Sequence, residues 1–525
     1  MPDPNSRRDF LKRSSMALGA VTLPAWLLDR EAAQAAEIDR EALAELALAE
    51  ARKAGATHAD IRINRYRQES IATREKQVEE VARTQSFGFG VRVLVNGAWG
   101  FAASREVTPQ SVRQMAQRAI ATAHANAPFQ KRVIELVPQT GVQAKWKSVF
   151  EQDPYDVPLE RKIRTLLEAN EAALKVRGAS FVESGLVFNN EQKFYASSEG
   201  ARIEQYLIRS YPYLNATAVD SARGDFQQRA ALTSPKAAGY EFVESYPLRA
   251  EAEQAAHEAV EKLRARPIEP GKYDLVLHPS HLWLTIHESV GHSTELDRAL
   301  GWEADYAGTS FLTPDDLGKL RFGSPTVNFV ADRTQPHGLA TVGYDDDGVP
   351  ASRWHLVKDG IFVDWQTTRE LAALTGSRVS HACEHADSWG NVPFARMPNV
   401  SLEPAPANVS LDDLLAGVED GILIYGNGSW SIDHQRYNFQ FGGQTFWEIR
   451  KGKKGVMLRD VAYQSRTTDF WGACDGLGGE ATYELGGALN DGKGEPTQAN
   501  AVSHGCPGAR FRRINVLNTA TSRSR

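Results

Sequence analysis

The hexapeptide Arg266-Pro267-Ile268-Glu269-Pro270-Gly271 divides this 525-residue chain into two halves of different texture. Two prolines and a glycine stop the charged helical stretch Leu248 to Arg264 and precede the apolar run Tyr273 to Leu277. Beyond it, turn signals follow at short intervals: Asp347-Gly348, Asp359-Gly360, Asn427-Gly428 and Gly442-Gly443. β-type runs lie between them and few long amphipathic helices occur, which predicts a large, mostly antiparallel β domain over 267–525. Before the boundary the signals mix. Ile38 to Ala54 repeats Leu and Ala at helical spacing and stops at Gly55, Asp60 to Tyr66 alternates, and Phe87 to Leu94 runs into Asn96-Gly97, a type I′ hairpin signal. Val107 to Ala125 reads as a helix with a Thr-Pro start, and helices are also expected over Leu159 to Val176 and Leu248 to Arg264. Residues 37–266 are therefore an α+β N-terminal domain, with subregions 37–150 and 151–266. The class is α+β.

At the N-terminus, Ser6-Arg7-Arg8-Asp9-Phe10-Leu11-Lys12 precedes an uncharged stretch from Ser14 to Leu28. This pattern is that of a twin-arginine signal over residues 1–36, with small residues for cleavage at Ala33-Gln34-Ala35. It is too short and too rich in small residues for a membrane span, so no stable span is expected after cleavage. A periplasmic or otherwise extracytoplasmic address follows, and export in the folded state favours a protein that loads a metal beforehand. Removing five basic and four acidic side chains moves the formal charge from -6 to -7, which speaks against a nucleic-acid partner. Cys383, Cys474 and Cys506 are too few for a disulfide framework.

The strongest chemical signal is Leu284-Thr285-Ile286-His287-Glu288-Ser289-Val290-Gly291-His292. Neutral imidazoles are good Zn²⁺ ligands, and a Glu beside the first can deprotonate a bound water. In the HExxH pattern the two His are four residues apart and share a helix face. A separation of five turns the second ring roughly 140° away on a regular helix. Chelation by His287 and His292 therefore requires a π-bulge or a break at Gly291.

The chain resembles the TldD/PmbA family along nearly its whole length. The resemblance is carried by His278-Pro279-Ser280 through His292, then Glu295-Leu296-Asp297, and by Ala56-Thr57-His58-Ala59-Asp60-Ile61-Arg62 and Gly88-Phe89-Gly90-Val91-Arg92-Val93 with Trp99-Gly100-Phe101-Ala102. Asp345-Asp346-Asp347-Gly348-Val349-Pro350, Arg396-Met397-Pro398-Asn399, Gly492-Lys493-Gly494 and Ser503-His504-Gly505-Cys506-Pro507 continue it. It implies a curved antiparallel β domain after the α+β region, and a zinc peptidase acting on unfolded or short peptides inside a cavity. It also implies pairing with a homologous subunit, homo- or hetero-oligomeric, with this chain as the active type. Carried over, His287 and His292 are metal ligands and Glu288 is the general base. Where family members usually carry Cys before Gly-Lys, this chain has Asp491. A His-His-Asp site is chemically sound and shifts preference from Zn²⁺ toward Mn²⁺, Co²⁺ or Fe²⁺. Cys506 is the alternative third ligand, and Asp491 as a simple turn residue is the other.

Lesser features carry bland expectations. His381-Ala382-Cys383-Glu384-His385 packs ligand types together, but neighbours on a strand point apart. Cys474 fits no nucleophile or phosphate-loop spacing, and Trp389, Trp430, Trp447 and Trp471 are expected in the core or a cleft wall. Two functions compete: an active metallopeptidase, and a binding or scaffold subunit that lost turnover through Asp491. Hydrolysis of a non-peptide amide shares the first site.

Overall fold

A computed structural model of the protein describes residues 38–520; the twin-arginine segment lies outside them. The N-terminal half is built on one seven-stranded sheet of β1 (His58–Arg74), β2 (Gln77–Val95), β3 (Ala98–Ser104), β4 (Gln143–Lys147), β5 (Ala179–Ser197), β6 (Arg202–Asp220) and β7 (Asp225–Ala230). Its order is β3-β2-β1-β5-β6-β4, with β7 beside β6, and only the β4–β6 pair is parallel. Asn96 and Gly97 both have positive φ, as a type I′ turn between β2 and β3 requires. β1 and β2 run well past the alternating segments: beyond Tyr66, β1 buries Glu69, Ile71 and Thr73 in alternation, but two of these three are polar, and Gln77 to Arg83 of β2 stays largely exposed, so neither outer half carries a period-2 hydrophobic signal.

Helices cover this sheet in two pairs. Arg40–Lys53 is capped by Asp39, whose carboxylate accepts from Ala42 N, and buries Leu43, Ala44, Ala47, Leu48 and Ala51. Pro109–Asn126 is capped by Thr108 and packs beside it against β2 and β3. Leu159–Leu174 and Leu248–Lys262 form the other pair, and each pair encloses its own apolar core. Gly100 marks how closely the first pair sits: a Cβ there would lie 2.0 Å from Ala119 O.

From residue 266 onward the chain is β-rich, and its longest α-helix among the described residues is Pro279–Ile286. The main sheet has ten strands and is antiparallel except where Gly271–Leu277 meets Asp420–Tyr425 and where Arg266–Pro267 meets Lys453–Arg459. Register shifts interrupt it between Trp447 and Ile449, Cys474 and Gly476, and Phe511 and Ile514, each a local bend. Trp430–Ile432 forms one edge and Arg266–Pro267 the other. Asp359-Gly360, both at positive φ, closes the expected hairpin between Arg353–Lys358 and Ile361–Phe362. The central core gathers Trp471, fully buried, against Phe329, Phe470 and Phe511. Trp471→Ala is expected to cost about 3–5 kcal/mol in urea unfolding; a loss under 1 kcal/mol would mean this cluster is not the keystone of the half. No helix among the described residues is long and apolar enough to cross a membrane.

The two halves are joined by buried charge. Arg92 on β2 bonds Asp60 Oδ2 (2.8 Å), Glu384 Oε1 (2.8 Å) and Asp347. Lys193 on β5 meets Asp346 Oδ1 at 2.8 Å. Asp345-Asp346-Asp347 thus plugs into the face of the N-terminal sheet.

Candidate metal centre

Pro279–Ile286 starts on His278, whose ring accepts from Ser280 N, and it lies against Glu484–Lys493 and Gln498–Cys506. At His287 the helix widens: His287–Gly291 is a π-turn, closed by His292 N donating to His287 O. The extra residue brings a five-residue separation to the place a four-residue one has on a regular helix. The carbonyls the turn loosens are satisfied by side chains. Ser293 Oγ donates to Ser289 O (2.7 Å), Thr294 Oγ1 to Val290 O (2.8 Å) and Gln366 Nε2 to Gly291 O (2.6 Å). Gly291 lets Met397 pack close: a Cβ there would stand 2.5 Å from Met397 Sδ, and the methionine would have to shift to admit one.

The imidazoles of His287 and His292 now face one another, ring centroids 4.5 Å apart. Each Nε2 lies 3.7 Å from the same atom, Asp491 Oδ1. That is too long for a hydrogen bond and near the roughly 3.3 Å that separates donors around a tetrahedral ion with ~2.0 Å bonds. All three side chains are buried, and their donor atoms lie within 4.8 Å of one another. The residues fit a divalent cation.

Asp491 is a strand residue, not a turn residue. It belongs to Glu484–Lys493, just after a register shift between Ala488 and Asp491 that re-aims its side chain. Arg396 Nη2 grips both its carbonyl and its Oδ2 (3.1 Å), leaving Oδ1 to the imidazoles. Cys506 points elsewhere, its thiol 3.7 Å from Pro279 O.

The far nitrogens of both rings are also held. His504 Nδ1 lies 2.8 Å from Val400 O and can only donate there, so its Nε2 accepts from His287 Nδ1 at 2.8 Å. This chain of bonds leaves the His287 Nε2 lone pair bare toward Asp491. His292 Nδ1 lies 2.9 Å from Glu295 Oε2, which also takes Arg298 Nε, while Arg298 Nη2 stands 3.1 Å from the same ring nitrogen. With a cation on Nε2 the proton must sit on Nδ1, and Glu295 then accepts it. Lys493, fully buried, bonds Glu295 Oε1 (2.8 Å) and Asp297 Oδ2 (2.7 Å). Burial, then Arg436, pushes His287 down to about 3, and His292 falls well below the usual histidine range for the same reasons, burial and Arg298 first. Both rings are neutral, as ligation requires. Burial alone would raise Glu295, but Arg298 and Lys493 hold it well below the usual carboxylate range.

Glu288 pairs with Arg436, Oε2 to Nη1 2.5 Å. Burial raises its pKa against the opposing pull of Arg436. A cavity of about 330 Å³ opens beside this pair, lined by Tyr306, Ala307, Ile432, Asp433, His434, Arg436 and Gly492. A larger one, about 720 Å³, is lined by Asp332, Arg353, Glu403 and Tyr483 among others and contains none of the centre's side chains.

The remaining ligand-type clusters are spoken for. His381 stacks on Trp354 and bonds Asp364, and Glu384 serves Arg92, so the 381–385 segment assembles no second site. His58, Asp60 and Asp347 converge closely enough for a metal, but Arg92 occupies that space and both His58 nitrogens are engaged, by Glu199 (3.0 Å) and Asp60 (3.1 Å). Cys383, Cys474 and Cys506 are buried thiols without a disulfide among them. Glu295, Arg298, Arg396, Arg436, Lys493 and His504 are the site residues to which sequence reasoning assigned no role. Glu295, Arg396, Lys493 and His504 sit in quoted motifs, whereas nothing local marks Arg436.

The PmbA/TldA metallopeptidase C-terminal domain matches residues 270–518, its domain 1 residues 59–123, and its central domain residues 152–266. A metalloprotease of Methanocaldococcus jannaschii is 27% identical over 446 residues, 84% of this chain and 93% of that protein. A zinc metalloprotease TldD homolog of Saccharolobus solfataricus is 21% identical over 469 residues, 89% of this chain and 98% of its own length. The crystal structure of TldE from Thermococcus kodakarensis shares the fold, with a TM-score of 0.69 at 15% identity over 89% of this chain and 98% of that one. The three domain matches run in order through both halves and through the metal centre, and the chain belongs to the PmbA/TldD family of metallopeptidases.

Proposed function

We propose that this protein is a zinc-dependent peptidase that hydrolyses unfolded or short peptides, with His287, His292 and Asp491 as the metal ligands and Glu288 as the general base. The observation that carries the reading is the convergence of both Nε2 atoms on Asp491 Oδ1, with the opposite ring nitrogens already held. A divalent cation bound there supplies Lewis acidity, polarising a carbonyl and lowering the pKa of water. Glu288, raised by burial, accepts the water proton and returns it to the leaving amine. With a carboxylate as third ligand, Mn²⁺, Co²⁺ and Fe²⁺ compete with Zn²⁺.

Substrate is bound by its main chain along the edge strand Trp430–Ile432, whose last residue lines the cleft. Pairing of that kind tolerates many sequences. A co-crystal with an extended peptide inhibitor is expected to show backbone hydrogen bonds to this strand; binding through side-chain pockets alone would defeat it. The fold shared with TldE supports assembly with a homologous subunit, a second copy or a relative without the metal motif. The pattern around Arg7-Arg8 supports export to an extracytoplasmic compartment.

The test is elemental analysis of protein purified without chelator, alongside cleavage of an unfolded peptide mixture. About one metal per chain and metal-dependent cleavage are expected. A chain that stays metal-free and inert after reconstitution would instead be a scaffold subunit.

A further inference from the structure

Arg436 stands where the cleft meets the metal centre, and its backbone is out of keeping with its side chain. Its φ is +63°, in the left-handed region that favours glycine. Of the non-glycine residues with positive φ among the described residues, it is the one whose side chain reaches the centre. The surroundings enforce this conformation. Arg436 N donates to Asp433 O (3.0 Å), and the Asp433 carboxylate accepts from Tyr437 N (2.8 Å) and Asn438 N (3.0 Å). Thr309 N and Phe311 N tie the loop down through His434 O (2.7 Å) and Gln435 O (2.8 Å), and Thr467 Oγ1 caps Arg436 O at 2.7 Å. Strained positions that their surroundings over-determine cluster at functional sites.

The guanidinium does not extend into solvent. Nη1 meets Glu288 Oε2 at 2.5 Å and Nη2 donates to Ala307 O at 2.9 Å, so the fork is anchored at one prong and holds the carboxylate with the other. Glu288 has no other side-chain hydrogen-bond partner among the described residues, whereas each proposed metal ligand is gripped by a different group. A lysine could supply the charge but not the two-pronged geometry.

We propose that Arg436 is the positioning residue of Glu288: its left-handed backbone aims the guanidinium inward, and the fork fixes the carboxylate in one orientation beside the ligands. The inference deepens the hydrolase reading and rests on it for its kinetic part only. Arg436→Gly is the decisive variant, because glycine accepts the backbone without strain and removes only the fork. The expected result is a folded protein with wild-type metal content, KM within about twofold and kcat lower by about 10²-fold. Added guanidinium ion should recover part of the lost rate in Arg436→Gly and none in wild type. Arg436→Lys, which keeps the Cβ and the charge, should fall between them and covers the case of a glycine variant that folds poorly. Crystals of Arg436→Gly should show Glu288 in more than one rotamer, with His287, His292 and Asp491 unmoved. An unchanged single Glu288 rotamer would overturn the proposal whatever the activity, as would wild-type kcat in a metal-loaded Arg436→Gly. If metal-loaded wild type cleaves nothing, the hydrolase reading fails while the rotamer result still decides the role of Arg436.

Discussion

Replacing Glu288 with glutamine is expected to lower kcat by about 10²- to 10⁴-fold, the usual contribution of a general base, while leaving the metal content unchanged. Glutamine keeps the shape, and its Oε1 can still accept from Arg436 Nη1, so the loss isolates proton acceptance from geometry. The carboxylate is suited to the task because burial raises its affinity for a proton. Removing its charge leaves Arg436 without its anion, and a modest fall in Tm should accompany the loss, moderated because Arg436 keeps Ala307 O and is partly open to the cleft. Turnover of an unfolded peptide mixture and metal per chain are the two readings. A glutamine variant that turns over like wild type would remove Glu288 from the mechanism.

The second large effect belongs to Asp491. Asp491→Ala should weaken metal binding by more than the 10- to 100-fold typical of losing an outer hydrogen-bond partner, since it removes the oxygen that both Nε2 atoms face. It also strands the fully buried Arg396, which then keeps only backbone oxygens, so some loss of stability is expected as well. Asp491→Cys separates these effects: a thiolate favours zinc over harder ions, so zinc retention should rise and manganese retention fall. Competition against a chromophoric chelator reads both variants. Equal metal affinity in wild type and Asp491→Ala would mean that the carboxylate is not a ligand and that the two imidazoles alone hold whatever binds.

The parts of this molecule readable in the sequence are those whose cause is local. The widened turn at His287–Gly291 follows from a five-residue spacing that no regular helix can use, and the hairpins at Asn96-Gly97 and Asp359-Gly360 follow from residues that accept positive φ. Proximity across the chain was not readable in the same way. His287 finds His504 217 residues later, and Glu288 finds Arg436 148 residues later. An arginine in a loop looks like any solvated charge until the fold shows that its backbone turns the side chain inward. The long outer halves of β1 and β2 are illegible for a related reason: their ladder is made of main-chain bonds, and with Glu69 and Thr73 buried on either side of Ile71 the alternation in burial is not an alternation in hydrophobicity.

Arg92 and Lys193 reach from the N-terminal sheet into the acidic loop of the other half, and this has a consequence for how the protein can be divided. All the side chains proposed to bind the metal lie after residue 266, which suggests a catalytic module with a dispensable companion. Residues 267–525 expressed alone would present Asp346, Asp347 and Glu384 to solvent as a cluster of like groups without Arg92 and Lys193, and in the whole chain the loss of either cation would leave its carboxylates buried and unpaired, which typically costs about 3–5 kcal/mol. That is a large share of what holds any domain folded. The boundary that is plain in the sequence is therefore no cleavage line in the thermodynamics: the half that holds the chemistry depends on the other half for its counter-ions, and substitutions at Arg92 or Lys193 should be felt first as a failure of the whole chain to fold.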